Sequence, residues 1–173
     1  MEKIFYAERS KYPTSESAVK TILNKYFGYE TADILRTDNG KPYLDGEDGL
    51  FFSVSHTDDT IFIAFSDKNI GLDDEPKNRK VDFMPIVKKF SALEQSEIAT
   101  STDFLKNFTA KESAVKFFGG KLAIDLKYLQ VIGNEIIYKG NPLSATLSYP
   151  KSDKFIIAVV CENDFSNAEL IPL

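Results

Sequence analysis

Two acidic residues separated by a single position stand out in Gly71-Leu72-Asp73-Asp74-Glu75. On an extended chain alternate residues share a face, so Asp73 and Glu75 point the same way, while Asp74 points away and toward solvent. Paired carboxylates repel unless a cation lies between them, and Mg²⁺ favours such oxygen pairs. The segment therefore has two interpretations, a metal site or a solvated acidic turn before Pro76, and taken alone it favours the turn.

A further acid and a lysine lie four residues apart in Phe108-Thr109-Ala110-Lys111-Glu112-Ser113-Ala114-Val115-Lys116. This stretch is predicted to be helical, and residues four apart share one face of a helix. On that face Glu112 can bind a metal while Lys116 reaches a phosphate as a point charge. The simpler interpretation of the pair, taken alone, is a surface ion pair.

The single histidine, His56, ends Phe52-Ser53-Val54-Ser55-His56. Its imidazole and the Ser55 hydroxyl can both donate to a phosphate oxygen. A lone histidine at a strand end is more often structural, and Ser-x-His forms no catalytic triad by itself. Upstream, Asn39-Gly40-Lys41-Pro42 is a strong turn signal that needs no function to explain it.

The elements that must position these residues are predicted to form a mixed α+β fold. The predicted strands are 4–7, 51–56, 60–65, 69–73, 128–132, 135–138, 144–149 and 154–161, and residues 41–44 lead out of the Asn39-Gly40 turn. The predicted helices are 15–27, 83–90, 91–99 and 102–118, with Gly28 ending the first and Gly119-Gly120 the last. The tail after Glu162 is predicted to be a terminal extension.

Two parts of the chain repeat the order strand, helix, hairpin. One hairpin contains Phe52-Ser53-Val54-Ser55-His56, and the other contains Leu143-Ser144-Ala145-Thr146-Leu147-Ser148-Tyr149. We therefore expect two related α+β halves, 1–66 and 67–173, with a ligand site in the cleft between them.

Composition excludes several classes of protein. The 173 residues are 43% hydrophobic and 27% charged, which is ordinary for a globular chain, and no run approaches the ~20 apolar residues that span a bilayer. The N-terminus does not resemble a signal peptide, so a cytoplasmic protein without a membrane role is expected. The net charge of −5 argues against nucleic-acid binding. The single Cys161 excludes an intramolecular disulfide, and no Walker loop, dinucleotide glycine pattern or zinc spacing occurs.

The order of the motifs is more specific than any one of them. Gly40-Lys41-Pro42 is followed by Phe52-Ser53-Val54-Ser55-His56, Ile70-Gly71-Leu72-Asp73-Asp74-Glu75, Phe90-Ser91-Ala92-Leu93-Glu94 and Phe108-Thr109-Ala110-Lys111-Glu112-Ser113, with Lys116 beyond. This series resembles the 4′-phosphopantetheinyl transferase superfamily. The Gly-Lys-Pro element and the two halves are similar to its Sfp-type, single-chain branch. The motifs cover residues 40–131, and the remaining strands match by pattern alone.

The resemblance implies a pseudo-two-fold α+β fold with a shortened first half, in a monomer. It implies Mg²⁺-dependent transfer of 4′-phosphopantetheine from coenzyme A to a serine of an apo acyl or peptidyl carrier protein, with release of 3′,5′-ADP. Acidic carrier proteins would have to dock through a local apolar or basic patch, because the overall charges repel weakly.

The resemblance also assigns roles to single residues. The implied Mg²⁺ ligands are Asp73, Glu75 and Glu112. The implied cofactor contacts are Lys41 and Pro42 at the adenine-nucleotide end and Ser55, His56, Lys111 and Lys116 at the phosphates. Glu112 is the first choice for the acceptor of the serine proton and Glu94 the second, while Lys116 and His56 add donors to the phosphate oxygens.

The chain departs from the family pattern in three places. Asp74 stands where the family usually has an apolar residue, and Phe108 stands where Trp is common and should still pack. The first half is short, and its basic residues available for the 3′-phosphate are Arg9, Lys11, Lys20 and Lys25.

Two other functions compete with an active transferase. One is a non-catalytic relative that binds coenzyme A or a carrier protein. The other is a Mg²⁺-dependent nuclease or phosphatase, which would need a basic substrate groove that this composition does not favour.

Overall fold

The computed structural model describes residues 2–173. They form 30% helix and 32% strand arranged in several small sheets, which confirms the α+β class. Within this described part of the chain, no helix is both long and apolar enough to cross a membrane.

Residues 2–173 contain twelve strands and five α-helices. The strands are β1 (Lys3–Glu8), β2 (Ile34–Arg36), β3 (Pro42–Leu44), β4 (Phe51–His56), β5 (Thr60–Ser66), β6 (Ile70–Pro76), β7 (Leu129–Ile132), β8 (Glu135–Tyr138), β9 (Asn141–Pro142), β10 (Thr146–Ser148), β11 (Phe155–Cys161) and β12 (Leu170–Pro172). The helices are α1 (Ser15–Ile22), α2 (Met84–Val87), α3 (Ala92–Glu97), α4 (Ser101–Phe118) and α5 (Leu122–Asp125). A π-helix at Leu23–Phe27 continues α1, and 3₁₀ turns lie at Arg9–Lys11 and Leu126–Tyr128.

Two of the sheets have their strands in a corresponding order. The first sheet has the order β1-β5-β4, with β12 added beside β1, and the second sheet has the order β6-β11-β10. In the first, β1 is antiparallel to β5 and β5 to β4. In the second, β6 is antiparallel to β11 and β11 to β10. In each of these sheets the first strand is followed along the chain by a helix and then by a hairpin, as the repeated pattern predicts.

Three of the four apolar clusters pack these two sheets on each other and on α1 and α4. Side chains of α1, such as Ile22, pack on one face of the first sheet. The opposite face packs on the second sheet through residues such as Phe62 and Leu72. The other face of the second sheet packs on α4 through residues such as Ala114 and Val160. Each sheet thus has a helix on its outer face.

Serine side chains join β4 to β6 where the two sheets meet. The Leu72 amide donates to Ser53 Oγ at 2.9 Å, and the Asp74 amide donates to Ser55 Oγ at 3.2 Å. Because Ser53 faces Leu72 and Ser55 faces Asp74, the two strands run in the same direction. The C-terminal ends of β4 and β6 therefore lie next to each other.

A similar serine arrangement occurs on β10. The Phe165 amide donates to Ser148 Oγ at 2.9 Å, and Ser148 Oγ donates to Asp164 Oδ1 at 3.0 Å. Ser55 has equivalent bonds to the Asp74 amide and to Asp73 Oδ1, the latter at 2.9 Å. The resemblance between the two hairpins thus extends to their side-chain bonding.

Several element boundaries match the sequence prediction. Gly28 and Gly119 end their helices with φ of +77° and +67°, a left-handed conformation that glycine adopts without strain. Helix α4 begins at Ser101, one residue before the predicted start at Thr102, because Thr100 and Asp103 form a reciprocal cap there. The turn at Gly40 has φ of +91°, and its amide bonds to the Thr37 carbonyl.

Other boundaries correct the prediction. The tail after Glu162 is not a free extension, because β12 pairs in parallel with β1 and the Leu173 amide donates to the Tyr6 carbonyl. The strand predicted to end at Asp73 continues to Pro76, because β11 pairs with it along its whole length. The helix predicted over 83–90 is one turn only, α2. Whether the 66/67 boundary separates two domains stays a prediction.

Candidate functional site

A close contact between β6 and α4 fixes the geometry of the candidate site. Gly71 has no side chain, and a Cβ there would collide with the backbone of Ser113 and Phe117. The Ser113 hydroxyl donates to the Gly71 carbonyl at 2.8 Å. This close packing brings Asp73, two residues along β6, against the face of α4 that carries Glu112.

These residues line a cleft of about 350 Å³. We call it the acid cleft, and its lining residues are Val54, Ser55, His56, Asp73, Glu112, Val115, Lys116 and Leu122. Five of the predicted site residues, Ser55, His56, Asp73, Glu112 and Lys116, therefore meet in one place. The cleft lies where the predicted halves adjoin.

Asp73 is the centre of the bonding in the acid cleft. Its Oδ1 accepts from Ser55 Oγ at 2.9 Å and from Lys116 Nζ at 2.8 Å. Its Oδ2 is buried and has no hydrogen-bond partner among residues 2–173. Lys116 also donates to the Val54 carbonyl at 3.2 Å, so one of its three N–H groups is left for another acceptor.

Glu112 lies beside Asp73 in surroundings that favour a proton. Burial raises the pKa of Glu112 to about 8, and the negative charge of Asp73 adds to the increase. Two carboxyl groups held this close are stable when a proton or a cation lies between them. This is the electrostatic condition that favours binding of a metal ion.

Glu75 faces the same side of β6 but has a different partner. Its carboxylate forms an ion pair with Arg79, four residues further on. Glu75 is buried, and Arg79 is half exposed. Across the described residues, no group of three or more His, Cys, Asp and Glu side chains is gathered to hold a metal ion.

Asp74 departs from its predicted exposure. It points away from Asp73, as expected, but its side chain is only 4% exposed because that face of β6 packs on the first sheet. Neither of its carboxyl oxygens has a partner among the residues described. Burial raises the pKa of Asp74 to about 7, and the charges of Asp73 and Glu75 contribute. The expectation of a solvated side chain is therefore wrong.

Ser55 and His56 differ in what they can offer to a ligand. The one proton of the Ser55 hydroxyl is donated to Asp73, so it is not free for a phosphate oxygen. In this structure Ser55 positions Asp73, and its contact with a phosphate stays a prediction. His56 is exposed and lines the acid cleft, which is consistent with contact to a ligand.

A second cavity, of about 300 Å³, adjoins the acid cleft. Both are lined by Val54, His56, Val115 and Lys116. The second cavity also contains Arg36, Lys41 and Pro42, and we call it the Arg36 cavity. The two cavities therefore adjoin, and Asp73 and Glu112 line only the first while Arg36 lines only the second.

Arg36 was not singled out from the sequence. One of its N–H groups donates to the Gly40 carbonyl at 3.0 Å, which leaves four for a ligand. The sequence feature that could have indicated Arg36 is its place as a basic residue on the strand before the Asn39-Gly40 turn. By contrast, Arg9, Lys11, Lys20 and Lys25 line neither the Arg36 cavity nor the acid cleft.

Lys41 lines the Arg36 cavity, but its amine is engaged elsewhere. It donates to Asn69 Oδ1 at 2.5 Å and to the Phe117 carbonyl at 2.7 Å. Asn39 holds the neighbouring Gly119 carbonyl at 2.9 Å. Burial lowers the pKa of Lys41 to about 8. The Asn-Gly-Lys-Pro turn is thus hydrogen-bonded to the C-terminal end of α4.

Glu94 and Lys111 are not brought into the acid cleft. They form an ion pair at 2.6 Å with both side chains 1% exposed. Lys111 also donates to the Leu129 carbonyl, and Glu94 accepts from the Val131 amide and caps α3 through Ser91. Burial lowers the pKa of Lys111 despite the nearby Glu94. Glu94 lies on α3, Lys111 lies on α4, and both bond to the backbone of β7. The pair therefore joins these three elements in the interior.

Comparisons with known proteins leave the family open. No model of a protein family matches the chain, and no curated protein matches it either.

Proposed function

We propose that this protein transfers the 4′-phosphopantetheine group of coenzyme A to a serine of an apo acyl or peptidyl carrier protein. The observation that carries the proposal is the meeting of Asp73, Glu112, Lys116 and His56 in one cleft. The resemblance implies that these residues act together, although they are spread over sixty positions of the chain.

In the reaction, the serine oxygen forms a bond to the β-phosphorus of coenzyme A. The bond from that phosphorus to 3′,5′-ADP breaks, and the leaving phosphate keeps the electron pair. Glu112 accepts the serine proton. Glu112 lines the acid cleft beside Lys116, where its carboxylate form can take this proton.

Lys116 and His56 bind the phosphates of coenzyme A. Both line the acid cleft and the Arg36 cavity, so they lie where the two cavities adjoin. Lys116 is held in place by Asp73 and Val54, which reduces the reorganisation needed when the charge on the phosphate oxygens develops. Arg36 then receives the nucleotide end, where its free N–H groups suit a phosphate.

Asp73 and Glu112 fit a Mg²⁺ site. Asp73 Oδ2 is buried without a partner in the described chain, and carboxylate oxygens are preferred Mg²⁺ ligands. Bound Mg²⁺ would offset negative charge on the phosphate oxygens. Glu75 would complete the set of ligands only if its ion pair with Arg79 opened.

At the level of the fold, we propose two α+β halves related by a pseudo-two-fold, with the first half shortened. The corresponding strand order of the first and second sheets supports this. The equivalent bonding of Ser55 and Ser148 supports it as well.

The test is to incubate the protein with coenzyme A, Mg²⁺ and an apo carrier protein, and to measure the intact mass of the carrier. We expect the mass of one phosphopantetheine arm to be added. Glu112→Gln should abolish the addition, while Glu135→Gln, at an exposed residue at the start of β8, should leave it unchanged. Coenzyme A binding without any mass increase, with several carriers, would instead support a non-catalytic relative.

A further inference from the structure

Arg79 follows strand β6 in a turn that directs its side chain back onto Glu75. The Lys77 amide donates to the Lys154 carbonyl at 2.9 Å, which keeps the chain bonded to the segment that leads into β11. The Arg79 amide donates to the Pro76 carbonyl at 3.0 Å and closes the turn. From this position the Arg79 guanidinium binds the Glu75 carboxylate. The backbone at the end of β6 therefore favours the ion pair.

The two partners of this ion pair differ in their access to solvent. The Glu75 side chain is 8% exposed, whereas that of Arg79 is 50% exposed. Within residues 2–173, Glu75 is the only hydrogen-bond acceptor of the Arg79 guanidinium. Arg79 can therefore turn outward into solvent, but Glu75 would stay behind as a buried carboxylate without a cation, which is costly. Glu75 thus needs a cation, and either Arg79 or a metal ion can supply it.

Arg79 also acts on the other acids of the site. Its pKa is raised above the ordinary value mainly by its bond to Glu75, and the negative charges of Glu112 and Asp73 contribute. Lys116 binds Asp73, while among the described residues no ion pair involves Glu112. Asp73 Oδ2 is buried and has no hydrogen-bond partner in the same part of the chain. The acids therefore keep unbalanced negative charge and a free oxygen even with Arg79 in place.

We infer that Arg79 is an internal counter-ion that competes with a divalent cation for Glu75 and thereby limits the affinity of the site for that cation. The inference rests on the Mg²⁺ site of the proposed function and adds how that site is regulated. Without metal, Arg79 compensates the buried charge of Glu75. When a metal binds, the guanidinium turns into solvent and Glu75 becomes available beside Asp73 and Glu112. Because the ion pair has to open first, loss of Arg79 should tighten metal binding.

The test measures Mn²⁺ binding to the full chain at pH 8, after treatment with a chelator and without coenzyme A. Mn²⁺ takes the same oxygen ligands as Mg²⁺, and its free form is measured by electron paramagnetic resonance. Arg79→Gln removes the competing cation, and Lys80→Gln is the matched control, because it removes the same charge from an exposed side chain one residue further on. We expect about tenfold tighter binding for Arg79→Gln and a change of less than about twofold for Lys80→Gln. Arg79→Lys, which keeps the charge, should bind Mn²⁺ nearly as weakly as the wild type.

Further variants show whether the effect of Arg79 passes through Glu75. In a Glu75→Gln background there is no carboxylate to compete for, so adding Arg79→Gln should change the affinity less than about twofold. Stability gives an independent readout. Metal-free Arg79→Gln should have a lower free energy of unfolding in urea than the wild type, because Glu75 has lost its counter-ion. Mn²⁺ should raise that free energy more in Arg79→Gln than in the wild type, which tests the inference even if the variant is unstable without metal.

The possible outcomes separate this inference from the proposed function. If Arg79→Gln binds Mn²⁺ no more tightly than Lys80→Gln, the inference fails, while the transferase proposal depends on the mass of the carrier and stands. Equal tightening with and without Glu75 would show a general effect of charge and would also overturn the inference. Absence of Mn²⁺ binding by both the wild type and Arg79→Gln would overturn it together with the Mg²⁺ site. Tighter binding by Arg79→Gln without modification of any carrier would support the inference and contradict the transferase proposal.

Discussion

The side-chain amine of Lys116 on α4 lies 2.8 Å from Oδ1 of Asp73 on β6. This bond joins two residues that are 43 positions apart in the chain. It leaves Asp73 Oδ2 without a partner in the described part of the protein, and it leaves Glu112 beside a carboxylate that one lysine only partly neutralises. The chemistry of the site follows from this imbalance of charge.

The first prediction concerns pH and Glu112. The folded protein holds a proton on Glu112 up to a pKa of about 8, whereas an unfolded chain loses it near 4.5. Unfolding therefore releases this proton between those values, and the contribution of Glu112 to stability falls as pH rises from about 4.5 to about 8. Glu112→Gln should flatten the fall in the free energy of unfolding, measured in urea from pH 5 to 8 without divalent cations. An unchanged slope, equal to that of the exposed control Glu135→Gln, would refute the buried position of Glu112.

Asp74 gives the second prediction. Its buried carboxyl oxygens have no hydrogen-bond partner within residues 2–173, although the Asp74 amide donates to Ser55 Oγ at 3.2 Å. Asp74→Val should raise the free energy of unfolding by roughly 1–3 kcal/mol at pH 8, because it removes an unsatisfied buried charge. The gain should be smaller at pH 5, where the carboxyl, with a pKa of about 7, is already neutral. Loss of stability at pH 8 would mean that Asp74 has a partner or ligand in solution.

Gly71 gives the third prediction. A methyl group there would meet the backbone of Ser113 and Phe117, which cannot move aside as a flexible side chain can. Gly71→Ala should therefore destabilise the fold by about 3 kcal/mol or more, as judged by urea unfolding. Gly49→Ala is the matched control, because a Cβ at Gly49 has open space around it. Similar stability of the two variants would disprove the close packing of β6 on α4.

The fourth prediction distinguishes two roles of Lys41. The resemblance implies contact with the nucleotide, whereas its amine bonds to Asn69 and the Phe117 carbonyl. Lys41→Met should lower the free energy of unfolding by about 1–3 kcal/mol, since it leaves Asn69 Oδ1 without its donor. Lys68→Met, at an exposed lysine, should change it little. If Lys41→Met weakened coenzyme A binding tenfold with no loss of stability, the nucleotide role would be the correct one.

Local rules predicted much of the fold. Turn and cap signals placed the ends at Gly28, Gly40 and Gly119, because they depend on a few adjacent residues. Phe108 was expected to pack in place of a Trp, and it does, with its ring 5.4 Å from that of Phe104. The tail at β12 was missed, since its partner β1 lies at the other end of the chain and leaves no local signal.

The candidate site likewise has some features that the sequence predicted and others that it could not. Residue type and spacing picked out Asp73, Glu112, Lys116 and His56, which meet in the acid cleft. The same reasoning could not tell which side chains were already engaged. Glu94 and Lys111 satisfy each other in the interior, and this depends on how α3, α4 and β7 pack.

By itself, the sequence determined that acids, a histidine and a lysine occur at spacings suited to phosphate chemistry. It also determined that strands and helices alternate around these residues. Only the tertiary structure decided which of them share a cleft. The position of Asp73 depends on the contact of Gly71 with α4 and on the hydroxyl of Ser55, both distant in the chain from Glu112. Burial and charge act through space, so the raised pKa of Glu112 and the unpartnered carboxyl of Asp74 could not be predicted from the order of residues.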